Sequence, residues 1–175
     1  MSIIIVAGTN RKNAITYKIA EIYSRLLTQN GAENEIICLE VLPEDFIVSG
    51  LYDNGGKNDK FNPIREKMWE AQKYVFIVPE YNGSLPGVLK VFIDGLKFPG
   101  TFKNKKAALV GLSAGVQGGA LALSHLNDII SYLMGNVLGN RVKLMSIEKN
   151  MKDGVIENAL YMQLLEAQAK DLIAF

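Results

Sequence analysis

Short apolar runs rich in β-branched residues alternate along this chain with longer stretches in which apolar residues recur every three or four positions. The runs cover residues 3–7, 33–39, 74–78 and 107–112, and a short fifth lies within 136–145. They are continuous rather than alternately polar and apolar, the pattern of strands buried on both faces. Between them, Ile15, Ile19, Ile22 and Leu26 mark one face of a helix that Asn30-Gly31 ends. Further helices are predicted over 63–72, 85–96, 120–134 and 153–175. The third of these five helices would turn Leu85, Val88, Leu89, Phe92, Ile93 and Leu96 inward. The last would turn Ile156, Leu160, Leu164 and Leu172 inward. The polar stretch 43–62 reads as a long surface loop.

Regular strand–helix alternation implies parallel strands joined by right-handed crossovers, with helices on both faces of the sheet. The predicted fold is therefore α/β, a doubly wound five-stranded parallel sheet of order 2-1-3-4-5, and residues 1–175 form one domain. In such sheets a ligand sits beyond the carboxyl ends of the strands, where the strand order reverses between the first and third.

Charge narrows the partners. Nineteen basic and 18 acidic side chains leave a formal charge of +1, so there is no basic excess for nucleic acid. The apolar start is too short for a membrane span or a signal segment, and a cytoplasmic protein is expected. Cys38 has no second cysteine to pair with and lies among apolar residues, which suits a buried structural thiol. His125 is the lone histidine; no metal site and no Ser–His pair is expected, and it is read as a packing or partly exposed residue. Trp69 is read as a packing residue too.

Three loops at strand ends carry the unusual residues. The first is Gly8-Thr9-Asn10-Arg11-Lys12-Asn13-Ala14-Ile15-Thr16, running into the first helix. Hydroxyls, amides and two cations at a helix N-terminus are the parts of an anion site, although a plain polar N-cap loop reads equally well. It lacks the three glycines of a dinucleotide fingerprint and the Gly-Lys-Ser/Thr of a Walker loop. A single terminal phosphate suits it better than a pyrophosphate. The second loop, Pro79-Glu80-Tyr81-Asn82-Gly83-Ser84-Leu85-Pro86-Gly87, offers a flat ring, an amide and accessible backbone to a planar ligand, or is simply a proline-pinned turn. The third, Ser113-Ala114-Gly115-Val116-Gln117-Gly118-Gly119, has three glycines in five residues, which permit close approach of backbone to a ligand.

With these residues assembled, the chain resembles the NADPH-dependent FMN reductase family, flavodoxin-like proteins that include quinone-, azo- and chromate-reducing enzymes. The most specific stretch runs from Pro79 to Lys90 with Ile93-Asp94 following, and Ser113 to Gly119 matches the family's Ser-x-Gly-x-x-Gly-Gly loop. The first loop keeps Gly8 and Arg11 and has Thr9 for the family's first serine. It departs at Ala14, where the family has a second serine, and at Thr16, where it has asparagine; Gly95 replaces a common tryptophan. The resemblance implies that Thr9, Asn10, Arg11, Asn13, Ala14, Ile15 and Thr16 hold the FMN phosphate. It implies that Pro79, Glu80, Tyr81, Asn82 and Gly83 line the ring, with Glu80 contributing backbone, and that Ser113, Ala114, Gly115 and Gly118 approach the rest of the flavin. It further implies hydride transfer from NADPH or NADH through FMN to a small acceptor such as a quinone or free flavin, with no catalytic side chain. A homodimer or dimer of dimers joined near residues 85–102 is also implied. The competing readings are a non-catalytic flavin-binding regulator and a flavodoxin-type electron carrier, whose strongly acidic surface a charge of +1 contradicts.

Overall fold

The computed structural model describes residues 3–175. Five consecutive apolar residues make β1 (Ile3–Ala7), a fully buried interior strand of the sheet. It pairs in parallel with β2 (Asn34–Cys38) on one side and β3 (Lys73–Pro79) on the other, and β3 pairs with β4 (Lys106–Leu112). The order β2-β1-β3-β4-β5 is the predicted one. Side chains alternate along β1: Ile4 and Val6 enter one core layer, and Ile3, Ile5 and Ala7 the other. Helices α1 (Ile15–Gln29) and α6 (Ala159–Ala174) cover the second layer. Helices α3 (Asn62–Glu70), α4 (Gly87–Asp94) and α5 (Ala120–Tyr132) cover the first.

Three expectations need correction. The 43–62 stretch is not simply a surface loop. It contains a short helix, α2 (Phe46–Ser49), and sends Phe46, Leu51 and Phe61 into the core. Phe46 and Phe61 lie 4.4 Å apart between ring centroids, and Phe61 meets Phe92 of α4 edge-on. This packing accounts for Gly95: a Cβ there would lie 2.6 Å from the Phe46 ring.

The fifth strand is split. β5 (Asn136–Val137) pairs with the start of β4 and β6 (Val142–Leu144) with its end, leaving the middle of β4 without a strand partner on that side. The Leu109 carbonyl in that gap accepts instead from the buried Gln168 amide at 3.0 Å.

The closing helix begins later than its apolar pattern suggested. Asp153-Gly154 makes a two-residue turn, both residues with positive φ, between β7 (Met151–Lys152) and β8 (Val155–Ile156). Asn158 then caps α6, accepting the Leu160 N–H at 3.1 Å. The buried face is Tyr161, Leu165, Gln168, Ala169 and Leu172, while Leu160 is exposed and Leu164 only half-buried. Helix α4 follows the expected pattern from Gly87, since Leu85 before Pro86 is held out of helical geometry. Phe102, expected near a subunit interface, belongs to the core and packs edge-on against Tyr74 at 5.1 Å.

Candidate cofactor site

At the carboxyl ends of β1, β3 and β4 lies a cavity of about 490 Å³, within the usual range for small-molecule sites. The first loop supplies Arg11, Lys12, Asn13, Ala14, Ile15 and Thr16 to its lining. Asn13 adopts a left-handed backbone (φ 54°), which asparagine tolerates, and swings the chain into α1. The N-cap of α1 is Ala14, and no side chain caps the helix or sets an acid in its first turn. A fifteen-residue helix thus presents uncapped amides and its positive dipole end to a cavity that also holds a guanidinium and an ammonium. That donor set fits a phosphate group.

The second loop brings Pro79, Glu80 and Tyr81 to the opposite wall. The Glu80 N–H donates to the Leu112 carbonyl, carrying the β3–β4 ladder one residue past the strand. Glu80 is expected beside the ring through its backbone, and its side chain adds an observation of its own. Glu80 is one of the residues that line the cavity, and its Oε2 is buried with no hydrogen-bond partner. A buried carboxylate oxygen without a donor is costly, and a ligand bearing N–H or O–H groups supplies one. The imide N–H and ribityl hydroxyls of a flavin are donors of that kind.

The third loop contributes Ser113 and Ala114, next to Leu112. The Ser113 hydroxyl donates to the Gly115 carbonyl and accepts the Gly118 N–H, each at 3.0 Å, so it ties the loop internally. Gly119 ends the loop at φ 80°, and a Cβ there would lie 2.9 Å from the Leu112 backbone nitrogen. The segment after β6 clamps the loop from outside: Ser146 N–H donates to the Gly115 carbonyl at 2.8 Å and Ile147 N–H to that of Ser113 at 3.1 Å. This clamp places Ile147 and Glu148 in the cavity wall.

Several anticipated residues therefore stand elsewhere. Thr9 is buried behind the wall, where its Oγ1 bonds the Tyr81 hydroxyl at 2.9 Å and accepts the Arg11 N–H at 3.2 Å. Asn10 lines a neighbouring groove, and Asn82, Gly83, Gly115 and Gly118 shape their loops without lining the cavity. Lys12, the second cation of the first loop, lines it too, and Leu112, Ile147 and Glu148 do so without having been singled out. Ile147 and Glu148 follow the last strand of the sheet, so the rule that all strand ends face the ligand was the only available pointer. Ser84 and His125 do form a pair, 2.8 Å between Oγ and Nδ1, contrary to expectation. Among the described residues no group of three or more His, Cys, Asp or Glu could hold a metal ion, and no helix is long and apolar enough to cross a membrane. Cys38 is half-buried rather than fully enclosed, and burial raises its thiol pKa.

A doubly wound sheet with a cavity at its switch point, walled by an uncapped helix N-terminus and by the turn after β3, is the arrangement of flavodoxin-like proteins. The chain belongs to the NADPH-dependent FMN reductase family, whose profile matches residues 1–148. It is 27% identical over 136 residues to a 2-hydroxy-1,4-benzoquinone reductase of a Burkholderia species, covering 76% of this chain and 72% of that one. It is 35% identical over 112 residues to an NAD(P)H-dependent FMN reductase of Pseudomonas aeruginosa, covering 63% of this chain and 57% of the relative. Among solved structures, the flavoenzyme NAD(P)H:(acceptor) oxidoreductase of Paracoccus denitrificans superposes with a TM-score of 0.79 at 21% identity, over 99% of this chain and 95% of the other, a likeness of fold.

Proposed function

We propose that this chain is an FMN-dependent NAD(P)H oxidoreductase that passes reducing equivalents to a small acceptor such as a quinone or free flavin. The observation that carries the reading is the cavity itself. An uncapped α1 N-terminus with Arg11 and Lys12 marks one part of it, and an orphaned Glu80 oxygen beside Tyr81 another. The first set would hold a phosphate and the second the hydrogen-bonding parts of a flavin. When bound, FMN supplies the two-electron chemistry between nicotinamide and acceptor. The protein's own residues bind and orient it: Arg11, Lys12 and the amides of Ile15 and Thr16 grip the phosphate. Tyr81, Pro79 and Ser113 confine the ring, and Glu80 accepts a hydrogen bond. Relatives named as quinone reductases and FMN reductases support the acceptor class.

The reading extends to assembly and location. Ile47, Val48, Tyr52 and Phe98 are large apolar side chains left exposed around α4, where Val88 and Val91 are half-buried. A groove of about 530 Å³ between Ile47 and Val88 also takes in Asn10 and Lys12, so this face continues into the phosphate loop. A second copy of the chain is the proposed cover, forming a homodimer beside the site. Residues 1–175 act as one domain, in the cytoplasm where nicotinamide donors are held.

The test adds NADPH, then NADH, to the pure protein with one equivalent of FMN under anaerobic conditions. Rapid bleaching of the flavin band, and its return on adding a quinone, is the expected result. FMN that stays outside the protein, or that is bound and never bleached, would overturn the oxidoreductase reading.

A further inference from the structure

We infer that His125 is a positioning residue for the flavin: from α5 it holds, through Ser84, the turn that lines the ring. This rests on the FMN reading above.

The turn is stiff in itself. Asn82 and Gly83 both have positive φ (50° and 74°), and Tyr81 and Ser84 exchange two backbone hydrogen bonds of 2.9 and 3.1 Å. This is the two-residue hairpin that Asn-Gly favours. A stiff turn on two chain segments moves as a unit, so whatever anchors its ends sets where Tyr81 stands. One anchor belongs to the phosphate loop: the Tyr81 hydroxyl bonds Thr9 Oγ1. The other is Ser84 Oγ, 2.8 Å from His125 Nδ1.

Helix α5 supports that second anchor twice. Leu121 stands one turn before His125 on the same face, and its Cδ1 lies 3.7 Å from where a Gly83 Cβ would be. The helix also begins directly after Gly119, the end of the loop carrying Ser113 and Ala114. One rigid element therefore carries one flavin loop and braces the other, which fixes the spacing of the two walls. His125 lines none of the cavity, so its influence on a ligand runs through Ser84 and the paired backbone to Tyr81.

The chemistry allows a sharp test. Asparagine places Oδ1 or Nδ2 at the same bond count from Cα as Nδ1, and can accept from or donate to Ser84. Glutamine puts those groups one bond further out, and alanine has none. The full chain and the variants His125→Ala, His125→Gln and His125→Asn are titrated with FMN and with riboflavin, following flavin fluorescence. Flavin-free melting controls for the fold.

Alanine and glutamine should raise the dissociation constant for FMN and riboflavin by the same factor, about two- to tenfold. Asparagine should restore both, because the ring side is common to the two flavins. Variants that all bind like the wild type, or an asparagine variant as impaired as alanine, would overturn the role of His125 alone. A wild-type chain that binds neither flavin would overturn the cofactor reading and the positioning role with it.

Discussion

Arg11 and Ala14 both line the cavity at the N-terminus of α1, one as a cation and the other as a bare N-cap. Arg11 lines the cavity as a charged donor, so Arg11→Ala should weaken FMN by about 1.5–3 kcal/mol while leaving riboflavin binding as it was. Equal losses for the two flavins in parallel titrations would place the guanidinium away from the phosphate. Ala14 is the bare N-cap of α1. Ala14→Ser should therefore raise the stability of the flavin-free protein by about 1 kcal/mol, read as a higher urea midpoint, and should also tighten FMN. A stabilised variant with unchanged FMN affinity would mean that the new hydroxyl serves the helix rather than the ligand. At this scale the sequence was informative where chemistry and strand ends coincide. Arg11, Thr16, Glu80, Tyr81 and Ser113 all line the cavity at the strand ends. The Thr9 hydroxyl is bonded to Tyr81 and to the Arg11 N–H, a direction that residue type does not carry. The Glu80 side chain was not legible for a related reason: only three-dimensional burial shows that one of its oxygens lacks a donor.

Gln168 shows what periodicity reads and what it misses among the elements. Strands β1, β3 and β4 and helix α1 were legible because their buried faces are continuous or regularly spaced, whereas the edge strand β2 buries only Ile37 fully. The broken edge was not, because two- and three-residue strands carry no period. The polar Gln168 on the buried face of α6 makes sense only beside that break. Its amide donates to the carbonyls of Leu109 and Asn140, and its oxygen accepts the Tyr23 hydroxyl of α1 at 3.1 Å. Gln168→Leu strands all three groups and should cost about 3 kcal/mol of unfolding free energy in urea melts. A loss below about 0.5 kcal/mol would show the groups finding other partners. Burial, with a smaller contribution from Asp171, raises the Tyr23 pKa well above the ordinary tyrosine value. The unfolded chain ionises this tyrosine near pH 10 and the folded chain does not. Its contribution is therefore complete below about pH 10 and is lost as pH rises beyond that. Tyr23→Phe should be less stable than the wild type at pH 8 and should lose less stability between about pH 9.5 and 11. Parallel curves for the two proteins would indicate that Tyr23 ionises alike in both states.

At the scale of the whole molecule the unresolved balance is between a sheet whose interior is fully covered and an outer face that is not. Five of the six apolar residues credited to the region of α4 are consumed by the core: Leu85, Leu89, Phe92, Ile93 and Leu96 are all buried. The apolar content of this stretch is thus mostly interior packing. What remains outside is a different set, Phe98 at 74%, Tyr52 at 89% and Ile47 at 61% exposure, grouped around the half-buried Val88 and Val91. Tyr52 and Phe98 share one depression beside the end of α4, and Ile47, Val88 and Val91 share another along its flank, so the patch follows the helix rather than scattering over the surface. A second copy seated along α4 is the proposed cover for this apolar surface. Light scattering at micromolar concentration should give twice the mass of one chain. Phe98→Asp combined with Val91→Asp should yield monomers, since each places a carboxylate in a desolvated contact at a cost of at least about 2 kcal/mol. Phe102→Asp does not belong in that experiment, because Phe102 is core and its loss would unfold the protein rather than divide a dimer. A wild-type monomer would remove the assembly outright. A dimer that survives both substitutions with native melting would leave α4 facing water and move the contact to another face.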